Sequence, residues 1–207
     1  MVENFGRILL KHNIHLMAGV FVGYAVWAVL CWSELGLIQK LVMGMFALMT
    51  VHEYEETMSK PNLTDLITRV TGLDTRSLTP GKSHLAQTVF IVALFVTVLL
   101  FPEQMWLVLP VFILGIFEGV VHTVGTFVFR LGKPSPGWYT GVVMCAYAVW
   151  SLTLIRRHIT YDPIQWLYAL ILFFAAFALL EVWFHHLIGS NLTLFIRKMQ
   201  TFVFGRK

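Results

Sequence analysis

The 207-residue chain is poor in charge: Asp, Glu, Lys and Arg together make up only 13% of it, against about 25% in a soluble domain. It has two cysteines, Cys31 and Cys145, each inside an apolar run and with no CxxC spacing. That excludes a disulfide scaffold and a thiolate metal site, and leaves both as packing residues. Basic residues do not cluster with aromatics, so the net charge of +4 does not describe a nucleic-acid surface. The first eleven residues contain Glu3 and little apolar length, which argues against a cleavable signal peptide. Internal repeats and low-complexity stretches are also lacking.

What is present is hydrophobic. Apolar residues make up 57% of the chain, aromatics 14%, and nine residues are methionine; the mean hydropathy is +0.74. Disorder and a cytosolic globule are both ruled out by these values. A membrane-spanning helix needs about 20 apolar residues, and six apolar runs stand out, at 15–32, 35–57, 85–101, 104–129, 137–155 and 164–187. The expected fold is an all-α membrane protein, a six-transmembrane-helix bundle over 1–189 followed by a basic amphipathic tail over 190–207. Breakers separate the runs: Pro102, the Gly132–Gly137 turn and Pro163, with Pro110 expected to kink the fourth.

Lys and Arg in the connections set the orientation. Lys40, Arg156 and Arg157 fall on one side, and the other twelve fall on the opposite side with both ends of the chain. The positive-inside rule puts both termini in the cytoplasm, and the expected location is the bacterial inner (plasma) membrane. In the long 59–82 connection a short helix is expected over Leu63–Val70 with Asn62 as its N-cap. The tail carries Leu192, Phe195, Ile196, Met199, Phe202 and Val203 near helical spacing, with basic residues between, and is expected to lie along the cytoplasmic interface.

Against this apolar background three runs carry ionisable residues. The second ends His52-Glu53-Tyr54-Glu55-Glu56, the fourth contains Glu118 and His122, and the sixth Glu181 and His185. Each holds a His and a Glu four places apart, which puts both on one helix face, one turn apart. All three pairs lie toward the C-terminal end of runs that cross in the same direction, hence at similar depth. A charge at membrane depth costs at least about 2.5–3.5 kcal/mol, and a layer of carboxylates repels itself. Divalent cations relieve both penalties. The candidate metal ligands are His52, Glu55, Glu56, Glu118, His122, Glu181 and His185, enough for two ions, as in helix-bundle di-iron sites. Glu53 points about 100° from His52 and is expected to be solvent-facing or to support a ligand. His12, His15, His84 and His158 are read as interfacial bystanders.

His52-Glu53-Tyr54-Glu55-Glu56 resembles the HXXEE domain family of small integral-membrane proteins, matching its motif residue for residue. Glu118 to His122, followed by Ser135-Pro136-Gly137-Trp138-Tyr139-Thr140-Gly141, resembles a second feature of that family, which more often has Asn where Glu118 stands. The resemblance implies a metal-binding membrane protein and no particular reaction.

The reading that follows is a membrane metalloenzyme with a two-metal site near the cytoplasmic leaflet. Oxygen and nitrogen ligands without thiolate favour iron, with zinc and manganese as alternatives. Iron suits desaturation or hydroxylation of a lipid-soluble substrate. Zinc suits hydrolysis, with Glu53 or Glu55 as catalytic general base. A cation or proton transporter is the competing class, disfavoured because the polar groups sit on one side only. The expected partners are the bilayer and a hydrophobic small molecule or lipid, with a second copy of the chain allowed and nucleic acid excluded.

Overall fold

The computed structural model describes residues 2–60, 62, 65–66, 68, 72, 80–128, 132–187 and 191–205. Seven helices account for nearly all of them, and no strand occurs among the described residues. They are α1 (Val2–Leu30), α2 (Leu37–Met58), α3 (Pro80–Leu100), α4 (Met105–Val128), α5 (Trp138–His158), α6 (Ile164–Leu187) and α7 (Leu192–Phe204).

Four helices are long and apolar enough to cross a membrane: α1 from His12, α4, α5 and α6. The apolar part of α3, His84–Leu100, is shorter. α2 carries Lys40 and the His52–Glu56 motif and is the polar member of the set, yet it is deeply buried. Leu41, Val42, Met45, Phe46 and Met49 form its inward face, followed by His52, Glu53 and Glu56. It packs against α1, α3, α4 and α5, so its ionisable turns are surrounded by apolar neighbours. By contrast α6 buries only Ala169, Phe173 and His185, while Leu167, Ile171, Phe174 and Leu179 are exposed. Such a lipid-facing exterior around a polar interior is what a bilayer demands.

Local sequence explains the starts of α2, α6 and α7. At the start of α2 the Gly36 N–H donates to Gln39 Oε1 at 3.0 Å. Asp162 Oδ1 accepts from the Ile164 N–H at 2.9 Å with Pro163 between, a cap followed by a proline in the first turn. Asn191 Oδ1 accepts from Leu194 N at 3.2 Å and starts α7. The helix α4 continues through Pro110, which lacks an N–H and so removes one intrahelical bond. A break in helical dihedrals occurs in α1 at His12 (φ −121°, ψ 16°). The Asn62 cap is present, its Oδ1 accepting from Asp65 N at 2.9 Å. Most of the helix expected over Leu63–Val70, and the domain boundary at 189 and 190, lie outside the described residues.

Two contacts fix the helices that carry the site. Phe46 of α2 stacks on Phe95 of α3 (centroids 4.7 Å apart) and meets Phe21 of α1 edge-on (5.6 Å). Such pairs contribute about 0.5–1.5 kcal/mol beyond their area. α4 and α5 meet at Gly119 and Gly141, where a Cβ on Gly119 would stand 2.7 Å from Gly141 O and 2.6 Å from Cys145 Cβ. Backbone approach of this kind needs small residues.

Candidate metal centre

The i, i+4 pairs on α2 and α4 face each other. His52 and His122 lie with ring centroids 5.0 Å apart, and their Nε2 atoms converge on the same carboxylates. Glu118 Oε2 is 3.7 Å from His52 Nε2 and 3.4 Å from His122 Nε2. Glu56 Oε1 is 3.8 Å and 3.0 Å from the same two nitrogens. The ligand atoms of His52, Glu118 and His122 all fall within 4.8 Å of one another, a grouping that can hold a metal ion. Ligands about 2.0–2.2 Å from one ion stand roughly 3.0–3.5 Å apart, and the four carboxylate–nitrogen separations of 3.0–3.8 Å lie within a few tenths of an ångström of that range. His52, Glu56 and His122 are buried.

Hydroxyl groups behind each histidine determine which ring nitrogen faces the centre. Thr140 Oγ1 donates to Glu55 Oε2 at 2.6 Å, and its oxygen lies 2.9 Å from His52 Nδ1. With the threonine proton directed to the carboxylate, the oxygen accepts from Nδ1–H. His52 Nε2 is then a bare lone pair. Behind His122, Ser135 Oγ donates to the His122 carbonyl at 3.0 Å and lies 3.3 Å from His122 Nδ1. Again Nδ1 is the donor and Nε2 the acceptor, a tautomer assigned by the hydrogen-bond network. In the neutral rings two lone-pair nitrogens point at two carboxylates in a buried space. That arrangement of acceptors is relieved either by a proton on the imidazoles, which makes the His–Glu contacts ion pairs, or by a metal ion at the centre.

Both hydroxyls come from one short segment, Thr140 from the first turn of α5 and Ser135 from the tight turn before it. Ser135 and Trp138 close the tight turn through Trp138 N–H to Ser135 O at 3.0 Å. Pro136 occupies its second position, and Gly137 its third with φ 81°, ψ −3°, the dihedrals of a type II turn. Gly137 is also in contact with the ligands: a Cβ there would meet His52 Cε1 at 2.7 Å, and Glu56 Cγ and His122 Cε1 each at 2.9 Å. Backbone N–H groups at the start of α5 are taken by Glu55, whose Oε2 accepts from Thr140 N at 2.9 Å and Oε1 from Tyr139 N at 3.3 Å. The turn is tied to the end of α2 by Lys133 Nζ, which donates to Lys60 O at 2.8 Å.

Of the candidate ligands, then, the structure brings together His52, Glu56, Glu118 and His122. Glu55 caps α5 and touches the centre only through Thr140. Glu181 and His185 face each other on α6, Oε2 to Nε2 3.7 Å, and are not in the converging group, although Glu181 lines the same cavity. Glu53 is buried rather than solvent-facing and lies 3.6 Å from His84 Nδ1. His84, read as a bystander, is therefore a buried partner. Thr140, Ser135 and Gly137 fall in the segment that resembles the family's second feature, a resemblance that assigns them no individual role. The hydroxyls could have been suspected, because a membrane-buried histidine ligand needs an acceptor for its second nitrogen.

Beside the centre lies a cavity of about 220 Å³. Glu56, Glu118 and His122 form part of its wall, with Glu53, His84, Gln87 and Glu181 alongside, and the remainder is apolar and rich in phenylalanine, including Phe90, Phe117, Phe177 and Phe184. Phe195 of α7 also lines it and lies against His185 (centroids 4.8 Å).

Apolar helices wrapped around a buried carboxylate–histidine cluster define the class: a membrane protein with a site able to hold a metal ion. The chain belongs to the family described as "protein of unknown function with HXXEE motif", which matches residues 43–151. That span contains every residue of the cluster, the Ser135–Trp138 turn, Glu53 and His84, and stops short of Glu181 and His185. No curated protein and no solved structure matches the chain.

Proposed function

We propose that the protein is an integral-membrane metalloenzyme whose His52, His122 and Glu118, joined by Glu56, bind a divalent metal beside a pocket for a lipid-soluble substrate. The observation that carries this reading is the pair of imidazole lone pairs, set by Thr140 and Ser135, aimed at two carboxylates. Two histidines and one carboxylate are the ligand set of many non-haem iron oxygenases, and also of some zinc hydrolases. Iron is the favoured metal, because the phenylalanine-rich wall presents a substrate's C–H bonds rather than a polar scissile group. Bound iron would supply oxygen activation for hydroxylation or desaturation, with electrons from an external donor.

The chain's own residues do the rest. Thr140, held by Glu55, and Ser135 orient the two rings. Gly137 closes the centre with backbone where a side chain would block it. The aromatic wall takes the substrate and excludes water. A cavity of about 150 Å³ takes benzene, so 220 Å³ suits a two-ring compound or a chain segment of similar bulk.

In the membrane, α1 to α6 cross six times with both termini cytoplasmic, as the twelve basic residues on that side support. α7 lies along the cytoplasmic interface of a bacterial plasma membrane. Purified in detergent, the wild type is expected to carry stoichiometric iron, and His122→Ala to lose it. With a reductant, the iron-loaded wild type should consume oxygen when membrane lipid extract is added, and His122→Ala should not. Zinc in place of iron would move the reading to hydrolysis, and no bound metal would overturn it.

A further inference from the structure

The hydroxyl arrangement behind His52 and His122 recurs at a third histidine, outside the cluster. Thr57 Oγ1 donates to Glu53 O at 2.7 Å, and its oxygen lies 3.4 Å from His84 Nε2. With that proton directed to the carbonyl, the hydroxyl accepts from Nε2–H, and His84 Nδ1 is left as a lone pair. Nδ1 faces Glu53 Oε2 at 3.6 Å. Neither atom has a hydrogen-bond partner, and Glu53 and His84 are only 4% and 5% exposed. A buried polar atom without a hydrogen bond is costly, and two that face each other at 3.6 Å can be relieved together by one cation between them. Both residues line the cavity that the first centre also lines.

We propose that Glu53 and His84 hold a second divalent cation, with Glu56 as the carboxylate shared between the two positions. Glu56 Oε1 is 3.0 Å from His122 Nε2, and Glu56 lines the same cavity as Glu53 and His84. A carboxylate between two ions is a recurrent element of helix-bundle dinuclear sites. The 3.6 Å between the Glu53 and His84 atoms lies close to the roughly 3.0–3.5 Å expected of two ligands on one ion. The cavity leaves room for water or substrate to complete the coordination. The second ion therefore takes its ligands from α2 and α3, and not from the Glu181–His185 pair on α6. This inference rests on the first centre being a metal site, and its test separates the two.

The full-length protein in detergent is stripped with a chelator and titrated with Mn(II), and bound metal is counted and followed by electron paramagnetic resonance. Two equivalents are expected for the wild type, with the multiline signal of an exchange-coupled pair. Glu53→Gln and His84→Gln should each bind one equivalent, with the spectrum of an isolated ion, and Glu181→Gln should still bind two. One equivalent in the wild type, unaltered by Glu53→Gln and His84→Gln, overturns the second position and leaves the first standing. No binding in the wild type overturns both. Two equivalents retained in His84→Gln, or one lost in Glu181→Gln, also overturns it. Gel filtration and thermal melting check that each variant folds; should either cavity variant fail, the wild-type count with Glu181→Gln decides.

Discussion

Gly137→Ala adds one methyl group at the point where three ligand side chains meet the backbone. Its Cβ would lie 2.7 Å from His52 Cε1 and 2.9 Å from Glu56 Cγ and His122 Cε1. Non-bonded carbons settle about 3.5–4.0 Å apart, so the rings and the turn must separate by roughly 0.6–1.3 Å. Ligand distances in a metal site tolerate only about ±0.2 Å. The left-handed backbone (φ 81°) adds about 1–2 kcal/mol for any residue with a Cβ. Metal affinity is expected to fall by about 10–100-fold, the usual consequence of disturbing a ligand's support. Gly132→Ala separates the two effects, because Gly132 has φ 70° and nothing within 4 Å of its Cβ. It carries the backbone cost without the collision. Chelator competition measures affinity, and thermal melting by circular dichroism measures the fold. If Gly137→Ala binds metal as tightly as Gly132→Ala, the placement of the ligands under the turn is wrong.

Thr140→Val removes the acceptor of His52 Nδ1–H and should weaken metal binding by about 10–100-fold, while Thr140→Ser, which keeps the hydroxyl, should stay near wild type in the same chelator competition. Glu55→Gln should lower stability by about 1 kcal/mol, as expected for a weakened helix cap, with no change in metal stoichiometry; loss of an equivalent would instead make Glu55 a ligand. Gly119→Ala must push α4 from α5, against a Gly141 carbonyl 2.7 Å from the new Cβ. A loss of about 1–3 kcal/mol is expected from such overpacking, read in a denaturation series, and an unchanged midpoint would show that the helices separate freely.

The His52/Glu56 and Glu118/His122 pairs were legible in the sequence because helix periodicity is local, and four residues return a side chain to the same face. The run at 164–187 coincides with α6 for a similar reason: Pro163 and the apolar composition both bound it. α1 was harder, because Arg7, Lys11 and Asn13 break the apolar run, yet the helix continues back to Val2 across the His12 break. Pairing between helices is not written in spacing. Glu55 and Glu56 are adjacent on α2, and only the approach of α5 decides that one caps a helix while the other meets His122. Glu53 carried a usable signal: a carboxylate on a second face of a membrane-buried helix needs a partner, and His84 is the only ionisable residue in the apolar part of α3. The third pair, Glu181 and His185, had the right spacing but sits on the least buried of the apolar helices.

The contact of Gly119 with Gly141 binds α4 and α5 into a stiff plate, and with α2 this plate carries the ligands His52 and His122, the carboxylates Glu56 and Glu118, and the hydroxyls behind them. Across the cavity, Phe177, Leu180 and Phe184 hang from α6, which is held by few buried residues. The bundle is thus divided into a fixed frame and a yielding wall, and that wall faces the acyl chains. Under the proposed function, a substrate arriving through it would not cross water, and its effective concentration would be its concentration in the bilayer. Turnover among congeners of equal shape would then rank by lipid–water partition coefficient rather than by aqueous solubility.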